Sequence, residues 1–187
     1  VIYENVRVPE DHILGGEGEG FAISQARLGP GRIHHCMRSI GVAERALEIM
    51  VKRSLERSTF GRLLAQHGLV QDHIAEARIE IDQARQYVLH VAHLMDTVGN
   101  KAAAQEISGI KVAIPNMTLK VIDRAIQVHG ALGYSHDTPL AHMAQQARWA
   151  RFADGPDEVH QMRIAERTID AWQKNASLTT ALGDLPL

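Results

Sequence analysis

Three short stretches carry residue types that could do chemistry. RFADGPDEVH, residues 151–160, sets Asp154, Asp157, Glu158 and His160 around a Gly-Pro pair. Asp154 there either takes a proton as a general base or starts a helix, with Pro156 at the first helical position and Asp157 and Glu158 in the first turn. RSTFGR, residues 57–62, places Arg57 near Phe60, which suits a solvated linker or a clamp for a planar anionic ligand. QVHGALGYSHDTPL, residues 127–140, reads as a helix C-cap at Gly130 and a turn at Gly133, or as glycines that let a phosphate approach the backbone. The 11 histidines assemble no metal-ligand set: Asp157-x-x-His160 stands alone, Glu44 has no matching histidine, and His34 and His35 diverge by about 100° on a helix. No metal is expected. Cys36 falls on an apolar stripe and reads as a packed thiol, not a nucleophile.

The elements that must position these stretches are mostly helical. Ile33, Cys36, Ile40, Ala43, Leu47 and Met50 alternate three- and four-residue spacings and predict one inward stripe. Val70, Ile74, Ala77, Ile81, Ala84, Val88, Val91, Met95 and Val98 continue the same alternation over about 30 residues and predict a long amphipathic helix. A third helix is expected over 102–129, with Ile107, Ile110, Ile114, Met117 and Val121 inward and a bend or break at Pro115. A loop over 130–139 and two shorter helices, 140–152 and 156–173, complete the set. Only VIYENVRVP at the start has strand character, followed by the Gly-rich GGEGEG. The expected fold is therefore all-α. An antiparallel helix bundle spans 19–175, residues 1–18 end a β-domain that lies outside the sequence, and 176–187 form a frayed tail.

Composition narrows the function classes. With 20 Lys+Arg against 22 Asp+Glu, the net charge of −2 over 187 residues leaves no electrostatic footprint for nucleic acid. No apolar run reaches the length of about 18 residues needed to span a membrane. A single cysteine excludes an internal disulfide and fits a reducing compartment, without separating cytoplasm, mitochondrial matrix and peroxisome. A start without Met or a signal pattern suggests a piece of a longer chain.

In order and spacing, NVRVPEDHILGGEGEGF, RLGPGRIHHCMRSIGVAERAL, ERSTFGR, QVHGALGYSHDTPLA and ADGPDEVH together resemble the C-terminal part of the acyl-CoA dehydrogenase family. The subgroup with Asp-Gly-Pro-Asp-Glu-Val-His near its end, which includes types 10 and 11, looks most similar. The resemblance covers residues 1 to about 170. It implies an FAD-dependent enzyme that removes an α-proton and a β-hydride from an acyl-CoA thioester to give the trans-2-enoyl-CoA, with an electron-transfer flavoprotein as acceptor. An acyl-CoA oxidase-like enzyme using O2, and a non-catalytic oligomerisation module, are the alternatives.

The resemblance also implies roles for single residues. Asp154 takes the position of the family's catalytic Glu. The alternative placement of that Glu, directly before the Arg of the first long helix, is filled here by Gly31, so Asp154 is the general base. The Gly155 N–H polarises the thioester carbonyl. Arg32 and Gly31 belong to the acyl-CoA contact region, with a structural ion pair as the other reading of Arg32. Arg57 and Phe60, with Gln127 and Gly130, clamp the pyrophosphate and adenosine end of FAD from a neighbouring subunit, so a homodimer or homotetramer is expected. Pro156 and Glu158 replace the family's Thr and Gln flavin contacts. Pro156 has neither hydroxyl nor N–H, which leaves a Thr-like contact there open. Gly68 stands where many members carry a Gln that touches FAD. Most isoalloxazine contacts belong to the β-domain, so residues 1–187 alone are expected to fold as a bundle without tightly held FAD or activity.

Overall fold

The computed structural model describes residues 1–174; the tail expected over 176–187 lies outside them. Three long helices, α1 (Gly20–Glu56), α2 (Gly68–Val98) and α3 (Ala104–His129), form the bundle. A one-turn helix α4 (Ala131–Tyr134) and the shorter α5 (Leu140–Trp149) and α6 (Asp157–Gln173) follow. Short connections force consecutive long helices to run antiparallel, and the contacts agree. Glu44 of α1 meets Arg78 of α2, while Gly29 at the start of α1 lies beside Asn100 past the end of α2. Helix α3 lies in the middle, against α1, α2, α5 and α6.

The apolar stripes explain why the helices pack this way. Cys36, Ile40, Ala43, Leu47 and Met50 from α1 join Ala77, Ile81, Ala84, Val88 and Val91 from α2 and Ile107, Ile110, Ile114, Met117 and Val121 from α3 in one core. Each fully buried Ile, Leu or Val there contributes about 1.5–3 kcal/mol. At the end of α2 the stripe departs from expectation: Leu94 is buried, Met95 is half-buried and Val98 is exposed. The inward face follows a three-residue step from Val91, because α2 ends there and has no partner past its last turn. Polar groups fix the register outside the core. Arg78 donates to both oxygens of Glu44 at 2.8 and 2.9 Å, and Arg124 reaches Glu80 and Glu76 at 2.6 Å each.

Residues 1–9 pair with nothing among the described residues, and Val1, Tyr3, Val6 and Val8 stay exposed. A strand forms only against ladder partners, and those expected for it lie outside the sequence. Two local expectations are corrected. Helix α3 is not broken at Pro115, which is buried inside an uninterrupted helix. Packing on four sides holds the helix across the single hydrogen bond that the proline removes. The stretch after α1 is neither a coil nor a linker but a two-residue hairpin, β1 (Ser58–Thr59) with β2 (Arg62–Leu63). Its turn residues Phe60 and Gly61 have φ of 51° and 79°, the left-handed pair that a tight hairpin turn requires.

Candidate active site

Between α5 and α6 the chain makes a short loop that carries Asp154, and side chains from three helices hold its backbone. From α3, the buried Lys111 donates through Nζ to the carbonyls of Ala150 (2.7 Å) and Gly155 (3.3 Å). From α1, Arg32 donates through Nε and Nη2 to the Asp154 carbonyl at 3.2 and 3.1 Å. From α6, His160 Nε2 lies 3.4 Å from the same oxygen. Asp157 closes the loop: its N–H donates to the Arg151 carbonyl, and its Oδ2 accepts from Arg151 and Asn116 at 2.6 and 2.9 Å.

The helix-start reading of this stretch is displaced. The N-cap of α6 is Pro156, not Asp154, and no side chain caps it. The first helical residue is Asp157, one place later than Pro156. Asp154 instead takes a left-handed backbone, φ 58°, a conformation that Asp and Asn tolerate better than other side-chain-bearing residues. That conformation turns its carboxylate toward α1. Oδ2 is shielded from solvent, lies 3.2 Å from His35 Nε2 without in-line hydrogen-bond alignment, and borders Gly31. A Cβ at position 31 would stand 3.7 Å from that oxygen, so Gly31 and Asp154 address one point in space. Gly155 has φ 111°, and a Cβ there would come within 2.8 Å of His160, so only glycine fits. Among the described residues no protein acceptor takes the Gly155 N–H. Among the described residues Arg32 makes no ion pair; its partner is the Asp154 carbonyl. A cavity of about 660 Å³ opens beside these groups, lined by Phe21, Leu28, Arg32, Asp154, Gly155 and His160 among others.

Burial sets the protonation of the surrounding cations. It pushes the imidazole of His160 below its ordinary range, and Arg32 and Lys111 push it the same way. Burial also lowers His35, against the pull of Asp154, and lowers Lys111 and Arg32. With His160 and His35 lowered in the folded state, the unfolded chain binds protons first as pH falls below about 6.5, so stability drops from there toward the lowered folded values. The melting temperature is expected to be lower at pH 5.5 than at pH 7.5, and less pH-dependent in His160→Gln. An unchanged or higher melting temperature at pH 5.5 would contradict this sign.

Comparison with known proteins places this loop in a family. The acyl-CoA dehydrogenase C-terminal domain matches residues 18–169. The chain belongs to the acyl-CoA dehydrogenase family. It is 55% identical over 166 residues to acyl-CoA dehydrogenase family member 10 of Mus musculus, covering 89% of this chain and 16% of that protein. With family member 11 of Rattus norvegicus it shares 54% identity over 166 residues, covering 89% of this chain and 21% of that one. The solved butyryl-CoA dehydrogenase of Megasphaera elsdenii superposes with a TM-score of 0.83 at 27% identity, over 90% of this chain and 43% of that one. The chain thus spans 16% and 21% of the length of these two curated relatives.

Within this acyl-CoA dehydrogenase domain the expected site residues separate into two groups. Asp154, Gly155, Gly31 and Arg32 come together, with Pro156 and Glu158 exposed at the loop's outer edge. Arg57, Phe60, Gln127 and Gly130 lie at the other end of the bundle, where α1 and α3 both finish. From Arg32 to Arg57 the rise along α1 is about 37 Å at 1.5 Å per residue. Three residues of the site were missed in the sequence: Lys111, His35 and His160. Lys111 follows Ile107 by four residues and so faces the core, which was the available signal; His35 likewise stands one turn after Gly31.

Proposed function

We propose that this chain is the C-terminal domain of an FAD-dependent acyl-CoA dehydrogenase in which Asp154 removes the α-proton of an acyl-CoA thioester. The observation that carries this reading is the Asp154 carboxylate, desolvated at Oδ2 and turned over Gly31, next to an unclaimed Gly155 N–H. A carboxylate stripped of water and a free amide donor are the two parts that enolisation of a thioester needs. Asp154 takes the α-hydrogen as a proton while the Gly155 N–H donates to the thioester oxygen, where negative charge builds. Gly31 borders Oδ2, and the Arg27 guanidinium fills the place a Cβ would take there, so a side chain at position 31 would have to displace it. FAD, when bound, supplies the two-electron oxidant that receives the β-hydrogen, so that the Cα–Cβ double bond forms. Arg32, Lys111 and His160 act on the loop backbone and fix where the carboxylate points.

The residues at the far end of the bundle fit a dinucleotide. Phe60 is 99% exposed in a left-handed conformation that a bulky residue adopts only at a cost, and Arg57 beside it is exposed with no carboxylate partner among the described residues. An exposed guanidinium fork next to a presented ring suits a pyrophosphate and a planar base. Gln127 and Gly130 would hold the same ligand from α3, with Pro156 and Glu158 contacting the flavin from the Asp154 end. Because that clamp stands about 37 Å from Arg32 along α1, it serves the Asp154 site of another copy, and a homodimer or homotetramer follows. An electron-transfer flavoprotein is the proposed acceptor.

Flavin absorbance of the complete protein, bleached anaerobically by acyl-CoA, is the test of the activity; a colourless protein, or one that acyl-CoA leaves yellow, would refute it. Arg57→Ala tests the clamp. It should weaken FAD retention on the order of tenfold or more, the loss of a charge-assisted bond to phosphate, with helicity unchanged. Loss of helicity at undiminished FAD affinity would make Arg57 a structural residue.

A further inference from the structure

The histidine that faces the carboxylate has no part in the mechanism above. His35 Nε2 lies 3.2 Å from Asp154 Oδ2, and the T-shaped packing of the His35 ring on Trp149, centroids 5.8 Å apart, holds it there. Behind the ring is a cavity of about 70 Å³, lined by His35, Arg38, Ser39, Thr118, Gln146 and Trp149. That is room for one or two water molecules. The His35 side chain is itself about one quarter exposed. A proton delivered to Asp154 Oδ2 therefore has one nitrogen at hand and, past it, a route to solvent.

We propose that Asp154 and His35 act as one base: His35 Nε2 takes from Asp154 Oδ2 the proton that Asp154 has taken from the substrate and releases it to water. The proposal rests on Asp154 being the base. The step balances: the Asp154 O–H bond breaks, the Nε2 lone pair binds the proton, the carboxylate regains its charge, and the quarter-exposed imidazolium then gives that Nε2 proton up to water, which restores the neutral ring and its lone pair. For the first transfer Nε2, the nitrogen that faces the carboxylate, stands 3.2 Å from Oδ2. The charged groups that face the ring explain the second. Arg38 and His34 from α1, Lys111 from α3 and burial all act against a lasting imidazolium, and only Asp154 favours it. His35 accepts the proton and does not keep it.

The consequence is a partition that can be measured. If the proton stays on Asp154 it returns to the carbon it left; if His35 passes it on, solvent hydrogen enters the substrate. The complete, flavin-loaded protein is mixed in D2O with the straight-chain acyl-CoA, from a C4 to C16 panel, that bleaches its flavin fastest. Deuterium at the α-carbon is read by mass spectrometry and flavin reduction by absorbance. His35→Gln should lower the ratio of deuterium incorporated to flavin reduced on the order of tenfold, and imidazole added to His35→Gly should raise it again. A general loosening of the fold lowers both quantities together and leaves the ratio alone. In the unaltered protein the ratio should fall as pH drops through the range in which His35 gains a proton.

An unchanged ratio in His35→Gln overturns the pairing. If Asp154→Asn has by then lost flavin reduction, the base reading stands without His35. If Asp154→Asn reduces its flavin at the parent's rate, both fall. Where the histidine variants do not fold, a ratio in the unaltered protein that is flat from pH 5 to 8 overturns the pairing by itself.

Discussion

Asp154→Asn in the complete protein is expected to slow flavin reduction by acyl-CoA on the order of 10²-fold or more, the usual cost of removing a positioned general base. Its melting temperature should stay close to the parent's. The structure gives the reason for that separation. Position 154 has φ 58°, which Asn adopts as readily as Asp, and the hydrogen bonds that Arg32 and His160 make with this residue go to its backbone carbonyl. The side chain caps no helix, because the N-cap of α6 is Pro156. A loss of turnover therefore cannot be assigned to a frayed helix. Asp154→Glu keeps the carboxylate but lengthens it by roughly 1.5 Å and places a less tolerant residue in the left-handed region, at a cost of about 1–2 kcal/mol. It should rank between the parent and Asn in rate, with a lower melting temperature than either. Anaerobic stopped-flow on the three proteins, with calorimetry beside it, decides the matter. An Asn variant that reduces its flavin at the parent's rate would remove Asp154 from the chemistry.

What was legible in the sequence is what local periodicity encodes. Burial repeats every three or four residues on a packed helix, so the stripes through Ile40, Ile81 and Ile114 predicted three helices; the third, expected over 102–129, runs Ala104–His129, and the stripe Val70–Val98 lies within Gly68–Val98, while the stripe Ile33–Met50 left the ends of Gly20–Glu56 unmarked. Turn chemistry was less legible. Phe60-Gly61 makes a left-handed hairpin turn although Phe is not a turn residue, and the one-turn helix at Ala131–Tyr134 sits in a stretch whose glycines read as loop. Strand character in VIYENVRVP is a propensity, and ladder hydrogen bonds need a second edge that the described residues do not supply. In the candidate site, Asp154 stood out as a carboxylate beside Gly-Pro inside a helical run, but that left base and helix start open, and the roles of Asp154 and Gly155 came from the resemblance to the acyl-CoA dehydrogenase family. Lys111 and His35 did not stand out. Their roles arise from contacts with residues 39 and 119 positions away, and a lysine between isoleucines reads as solvent-facing until a carbonyl is found for it.

Lys111 is where that omission has its largest measurable consequence. Its side chain is 1% exposed, and its ammonium reaches only backbone carbonyls, those of Ala150 and Gly155 at the two ends of the Asp154 loop. Lys111→Met keeps the stem and deletes the charge. Two effects then oppose each other. Removing a buried ammonium relieves a desolvation cost that the lowered Lys111 pKa makes visible, while the two carbonyls lose charge-assisted bonds worth about 1.5–3 kcal/mol each. The bonds outweigh the relief, and a net loss of about 1–3 kcal/mol should lower the melting temperature by several degrees. The larger effect falls on the chemistry. The Gly155 carbonyl belongs to the residue whose N–H is to meet the thioester oxygen, and a displacement of about 1 Å at such a group can cost on the order of 10² in rate. Flavin reduction is therefore expected to slow between about tenfold and 100-fold, with a smaller change in FAD affinity, since of the proposed flavin contacts only Pro156 and Glu158 adjoin this loop, and Arg57 and Gln127 lie at the opposite end of the bundle. Arg32 and His160 still hold the Asp154 carbonyl in this variant, which is why the loss should stay below that of Asp154→Asn. A Met variant with the parent's reduction rate would show that those two contacts suffice, and that Lys111 supports the core without positioning the base.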